Sequence, residues 1–284
     1  MTDYLDIDGG RIAYDSIGEG PLVVLSHGIG DRRQAYRFLA PMIAAAGYRV
    51  VNADLRGHGD SSMNWVSATG KEAISRTDVA NDLLAVIAEL NAGPAIIVGH
   101  SISGGAATIA AAKSPELVRG IVEINPFTLT QTPSVGAVFT VSRYRRGMFA
   151  LMGTMMFKSL GQWQKYLNIA YPTKPADYDE YIAANTAKLS EPGRLAEFMK
   201  TGKSTPADAQ AQLPNVTQPA LIIMGTADPD FPNPEAEGKA VIAALPAGLG
   251  SLGLVEGAGH YPHAQSPEQT ADLILPFLKE HAHA

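Results

Sequence analysis

Residues 95–105 read AIIVGHSISGG. An isoleucine- and valine-rich run stops at Gly99, Ser101 and Ser103 follow one residue apart, and Gly104-Gly105 closes the stretch. The run is too short for a helix and reads as a buried strand, while SGGAATIAAAK (103–113) reads as a small-residue helix. A sharp strand-to-helix turn holds a side-chain oxygen clear of the sheet and aims the next backbone N–H at the same space. Strand and helix nearly touch there, so the positions two before and two after the exposed residue must be small. Gly99 lies two before Ser101 and Ser103 two after it, which makes Ser101 the candidate nucleophile and Ser103 the small residue on the far side. A serine here also reads as a helix cap. A phosphate-binding loop of the Walker type is disfavoured because no lysine follows the glycines.

Working outward, short strands and helices alternate on both sides of this turn. YLDIDGGRIAYDSIG (4–18) reads as a hairpin turned at Gly9-Gly10, and PLVVLSHG (21–28) as a strand covered on both faces. QAYRFLAPMIAAA (34–46) has helical spacing despite Pro41, with Gly47 as its stop, and YRVVNAD (48–54) reads as the fourth strand. RTDVANDLLAVIAEL (76–90) is an amphipathic helix with Val79, Leu83, Val86, Ile87 and Leu90 on one stripe and its acidic residues on the other. After the fifth strand and its helix, RGIVEIN (119–125) is the sixth strand. The alternation then stops until PALIIMG (219–225), a helix near 235–245, an eighth strand near 248–257 and a last helix over about 267–279. The pattern is an α/β class, an eight-stranded and mostly parallel sheet flanked by helices. The interruption predicts a core of residues 1–127 and 215–284, with a helical insertion over 128–214 after strand six.

Composition narrows the partners. The 284 residues carry a formal net charge of -6, which offers no general attraction to nucleic acid. There is no cysteine, so disulfides, thiolate metal sites and cysteine nucleophiles are excluded. No apolar run approaches the ~20 residues a membrane span requires, and the start MTDYLDIDGG lacks the features of a secretory signal. The expectation is a cytoplasmic protein acting on a small molecule, without nucleic-acid or membrane partners. No metal-binding spacing of the HExxH type occurs, and no cofactor is expected.

Five motifs fall at the C-terminal ends of expected strands: LSHGIGD (25–31), DLRGHGDSS (54–62), VGHSISGG (98–105), IIMGTADPD (222–230) and GAGHYPH (257–263). In this order and over nearly the whole length, the chain resembles the α/β-hydrolase superfamily, with a helical cap inserted after strand six. The resemblance implies a serine esterase with a catalytic triad of Ser101, Asp228 and His260, in the family's chain order. It favours His260 over His263, which reads as a surface or helix-flanking residue, and leaves His281 and His283 in a terminal tail. It favours Asp228 over Asp230 as the acid that orients the base. It also implies an oxyanion hole from the backbone N–H groups of Ile102 and, by analogy, Ile29, and gives Asp54, Arg56 and Gly57 a structural role.

Ser103 departs from the family's commoner glycine and resembles the branch of stress-signalling hydrolases and plant hormone receptors. Carbon-carbon bond hydrolysis, peracid formation and slow-turnover ligand sensing through the cap therefore stand beside ester hydrolysis. A serine at 101 disfavours the relatives of this fold that use an aspartate nucleophile. In RYRRGMFALMGTMMFKSL (143–160), Met148, Met152, Met155 or Met156, and Leu160 recur near helical spacing. Met152 and Met155 are expected to line an adaptable substrate pocket, with Arg143, Arg145 and Arg146 on a solvated edge.

Overall fold

The computed structural model describes residues 2–70 and 73–282. Its strands are β1 (Asp3–Ile7), β2 (Gly10–Ile17), β3 (Leu22–Ser26), β4 (Arg49–Ala53), β5 (Ala95–His100), β6 (Val118–Ile124), β7 (Ala220–Gly225) and β8 (Gly250–Val255). They form one sheet in the order β1-β2-β4-β3-β5-β6-β7-β8. The first hairpin pairs antiparallel and joins β4 antiparallel; every later pairing is parallel. This is the mostly parallel eight-stranded sheet that the alternation predicts.

The core-flanking helices are α1 (Leu39–Ala45), α2 (Arg76–Leu90) and α3 (Ile102–Lys113). Between β6 and β7 lie α4 (Val135–Thr140), α5 (Ser142–Phe157), α6 (Leu160–Ala170), α7 (Tyr178–Leu189), α8 (Arg194–Gly202) and α9 (Ala207–Gln210). The chain closes with α10 (Pro234–Ala244), α11 (Pro262–Gln265) and α12 (Pro267–His281). Among the described residues no helix is long and apolar enough to cross a membrane.

The strands are continuous apolar runs because both faces are covered. Val24, Ile97 and Ile121 pack toward α2 and α3, while Val23, Ile96 and Val122 pack toward α1 and α12. A third cluster, built from Trp163, Tyr166, Tyr171, Tyr178 and Phe198, joins the helices between β6 and β7 and packs on Tyr261.

Two local expectations change. The segment 34–46 is not one helix: a 3-10 turn over Arg33–Tyr36 precedes α1, which leaves Pro41 in the first turn of α1, where its missing N–H costs little. The acidic stripe of α2, which an amphipathic helix would turn to solvent, is exposed only at Glu89. Asp78 and Asp82 are buried, with Arg56 donating to Asp82 Oδ1 at 2.6 Å and Oδ2 at 2.7 Å. The long-range partner, invisible in the helical period, neutralises them. At the chain's end His281 belongs to the last turn of α12 and packs edge-on to Phe277, whereas His283 lies outside the described residues.

Candidate active site

The sheet sets the position of the site. From β3 the chain crosses to β4 on one side and later returns to β5 on the other, so a crevice opens beyond the C-terminal ends of β3 and β5. Ser26 pairs with Gly99 across these strands, which brings the loop after β3 against the turn after β5.

That turn is tight enough to dictate its residues. Ser101 has φ 57° and ψ -118°, a left-handed conformation that costs a non-glycine residue energy. It is held by Ser101 N–H donating to Ile124 O at 3.0 Å and Phe127 N–H donating to Ser101 O at 3.1 Å. A Cβ at Gly99 would lie 2.1 Å from Ser103 O, and one at Gly28 would lie 2.9 Å from Ser101 Cβ, so neither position admits a larger residue. The two serines differ sharply in their surroundings. Ser103 Oγ is wholly buried and bonded to His27 O at 2.6 Å and Ser26 Oγ at 2.9 Å. Ser101 lines a cavity of about 420 Å³ instead.

His260 lines the same cavity. Its Nδ1 lies 2.8 Å from Asp228 Oδ2 and 3.3 Å from Asp230 Oδ2. Asp228 takes the hydrogen bond, and its other oxygen accepts the Asp230 N–H at 2.8 Å. Asp230 is occupied by the Tyr166 hydroxyl, which donates to its Oδ2 at 2.7 Å. Burial opposes a charged imidazolium, but the carboxylates of Asp228 and Asp230 outweigh it and push His260 up to about 9. Burial, followed by the neighbouring Asp228, raises Asp230 to about 7. Among the described residues neither Ser101 Oγ nor His260 Nε2 has a protein hydrogen-bond partner, and neither is a sealed buried atom.

Ile29 and Ile102 also line the cavity, and among the described residues the backbone N–H of neither donates to a protein acceptor. The loop that carries Ile29 is fixed by His27: Leu55 N–H donates to its Nε2 at 3.0 Å, so Nδ1 carries the proton and donates to Gly28 O at 2.7 Å. In the same region Asp54 accepts from the Arg33 N–H at 2.6 Å and the Asp60 N–H at 2.9 Å, a purely structural set of bonds.

The methionine expectation needs correction. Met155 lines the cavity, but Met152 is 46% exposed and does not. Helix α5 is rotated so that Gly147, Ala150 and Thr154 face inward; a Cβ at Gly147 would lie 2.8 Å from Pro229 Cβ. Close approach of the small residues therefore sets the helix face, and it leaves Leu151 and Met155 over the cavity. Arg146 is exposed as expected, whereas Arg143 is partly buried and donates to Pro232 O at 3.1 Å.

His263 also differs from its expectation as a surface residue. It is wholly buried, packed between the tilted rings of Tyr36 and His100 at centroid distances of 4.7 and 4.6 Å, and burial lowers it to about 3. His100 Nε2 donates to His260 O at 2.8 Å and so supports the His260 loop from behind. Asn125 carries no motif signal, yet its Oδ1 accepts the Gly225 N–H at 2.7 Å and its Nδ2 donates to Gly259 O at 2.8 Å. One amide thus ties together the loops that carry Asp228 and His260. Arg76, the first residue of α2, also lines the cavity.

Residues 23–273 match the family model described as the alpha/beta hydrolase family. A relative from Mesorhizobium japonicum, 2-(acetamidomethylene)succinate hydrolase, is 30% identical over 96% of this chain and 94% of its own. A solved structure of E-2-(acetamidomethylene)succinate hydrolase superposes with a TM-score of 0.69 at 26% identity, covering 98% of this chain and 99% of that one. An esterase from Exiguobacterium antarcticum shares the fold with a TM-score of 0.77 at 18% identity, covering 98% of this chain and all of that one (100%).

Proposed function

Because the chain belongs to the alpha/beta hydrolase family, we propose that it is a serine hydrolase that cleaves a small or medium carboxylic ester through an acyl-enzyme. The carrying observation is that one cavity is lined both by a serine held at positive φ and by an imidazole hydrogen-bonded to a buried aspartate. Ser101 Oγ attacks the carbonyl carbon while His260 Nε2 takes its proton. Asp228 keeps the other proton on Nδ1 and balances the imidazolium. The carbonyl oxygen, now negative, accepts from the N–H groups of Ile102 and Ile29, which need no reorganisation to reach it. Collapse expels the alcohol, which receives the proton from His260 Nε2; water then repeats the cycle on the acyl-Ser101 carbonyl and releases the acid. In this reading the hydrogen bond between Ser101 Oγ and His260 Nε2 forms once a substrate fills the cavity.

In this reading residues 1–127 and 215–284 form the catalytic core and residues 128–214 a cap that excludes water from the reacting carbonyl. The similarity to 2-(acetamidomethylene)succinate hydrolase supports a second reading, in which the bond cleaved belongs to an acetamido group. Matched ester and acetamide substrates distinguish the two by their relative kcat/KM.

The decisive test is fluorophosphonate labelling with aryl-ester kinetics. Ser101→Ala is expected to abolish labelling and to lower kcat by about 10⁶-fold. Ser103→Ala is expected to keep both. Labelling that survives in Ser101→Ala and disappears in Ser103→Ala would refute the assignment.

A further inference from the structure

Arg76 holds a charge that no described residue neutralises directly. The residue is 4% exposed, yet among the described residues it forms no ion pair. The buried guanidinium of Arg56, by contrast, is clamped by Asp82, and that of Arg33 by Asp15, Asp54 and Asp60. Arg76 makes two neutral contacts: Nε donates to Phe127 O at 2.7 Å and Nη1 to Ser204 Oγ at 3.2 Å. The nearby Asp208 is engaged elsewhere, accepting from Thr77 N–H at 3.1 Å and Thr77 Oγ1 at 3.0 Å. Arg76 Nη2 has no protein acceptor among the described residues and is not sealed off, because it is absent from the buried unpartnered atoms. A buried guanidinium without a counter-ion is costly unless something supplies one.

The cavity is where that counter-ion would sit. Arg76 lines the same cavity as Ser101 and His260, and among the described residues it is the one Arg or Lys that does so. Its position relative to the nucleophile is fixed through a single residue: Phe127 N–H is bonded to Ser101 O, and Phe127 O accepts from Arg76 Nε. Thr130, Ser204 and Thr205 place hydroxyl-bearing residues on the cavity wall, which is otherwise largely apolar.

Resting on the serine-hydrolase reading, we propose that Arg76 is a specificity-determining residue that binds a carboxylate carried by the substrate, so that the preferred substrates are half-esters of dicarboxylic acids. A single guanidinium balances a single negative charge, and its fork matches the two oxygens of a carboxylate. Ser101 and Arg76 both bond to Phe127, which puts the scissile carbonyl and the acid on one short substrate, and half-esters of two lengths bracket the linker.

The test compares mono-4-nitrophenyl adipate and suberate with neutral 4-nitrophenyl esters of equal length. It also measures the binding of free adipate and suberate by calorimetry. The wild type is expected to favour the half-esters in kcat/KM, and the ratio of half-ester to neutral ester is expected to fall by about ten- to a hundredfold in Arg76→Gln. Free diacid should bind the wild type and Ser101→Ala alike and lose at least about tenfold in affinity in Arg76→Gln. Should Arg76→Gln not fold, Arg76→Lys keeps the charge without the fork, and a partial loss of the preference is expected. Equal use of charged and neutral esters by the wild type, with no diacid binding, overturns the proposal even if Ser101 is labelled. Absence of Ser101 labelling overturns the hydrolase reading instead, and diacid binding that depends on Arg76 would survive it.

Discussion

The floor and the roof of the cavity are built on different principles. The floor consists of the loops after β3, β5, β7 and β8, and each functional side chain there is fixed by backbone bonds: Ser101 by Ile124 and Phe127, His260 by Ala170, Asp228 by Gly225 and Asp230. The roof, contributed by α5, α6 and α8, is held mostly through side chains: Trp163 stacks on Tyr166 at 5.0 Å, Met155 lies against Gly202, Tyr166 donates to Asp230 and Arg194 to Ser61 O. Backbone bonds tolerate little displacement, whereas packed aromatic rings and thioethers admit several arrangements. In the proposed reading, chemistry therefore sits on the rigid side and selectivity on the adaptable one.

The largest expected effect lies on the floor. Asp228→Asn is expected to lower kcat by about 10⁴-fold, because the amide no longer holds the Nδ1 proton. Asp230→Asn should leave far more activity and change the pH profile. The imidazolium cannot accept the Ser101 proton, so kcat/KM of the wild type rises with pH toward about 9, where His260 titrates. Removing the Asp230 carboxylate takes away one of the two charges that hold this value up, so the acidic limb moves to lower pH. A limb that stays in place in Asp230→Asn, measured with an aryl ester, would mean that Asp230 does not act on the base.

Glycines sharpen the same contrast through stability. Gly99→Ala forces a methyl onto the Ser103 carbonyl and is expected to destabilise the floor by about 3 kcal/mol in urea unfolding. In the roof, a Cβ at Gly161 would meet its nearest atom, Ser159 Oγ, at 3.7 Å within α6. Gly161→Ala is therefore expected to stabilise by about 0.5–1 kcal/mol. Similar signs for the two variants would erase the distinction.

The difference between floor and roof also explains what was legible in the sequence. The nucleophile turn was readable because its steric demand is written in consecutive residues, Gly99 to Gly105. The succession of strands and the limits of the helices near 76–90, 103–113 and 235–245 followed from period and glycine breaks. Three features were not legible, each for the same reason. The burial of Asp78 and Asp82 depends on Arg56 from another loop, the burial of His263 on Tyr36 and His100, and the facing of Met155 rather than Met152 on Gly147 meeting Pro229. Each is a long-range pairing that no local pattern encodes.

His263 gives a smaller effect. Held neutral at about 3 in the folded chain against 6.5 in the unfolded one, it contributes stability that is full above 6.5 and is lost as pH falls from there toward 3. His58, also lowered to about 3 by burial, acts in the same direction. His263→Phe keeps an aromatic ring and removes one titrating group. The drop in Tm between pH 7.5 and pH 5 should then be smaller than in the wild type; an unchanged drop would show that this buried ring does not contribute to acid sensitivity.

The last comparison tests the roof alone. Met155→Ala enlarges the cavity beside Leu151, while Met152→Ala trims a side chain that points to solvent. A deleted apolar chain in a pocket is worth about 1–3 kcal/mol between substrates that differ in fit. Across a graded series of aryl esters, Met155→Ala is therefore expected to shift the preferred acyl length upward by one or two carbons, with the short esters losing kcat/KM. Met152→Ala should reproduce the wild-type profile. Equal shifts in both would require α5 to turn during binding, since the two side chains occupy different faces of that helix, and the roof would then select substrates by movement rather than by the packing of Gly147 against Pro229.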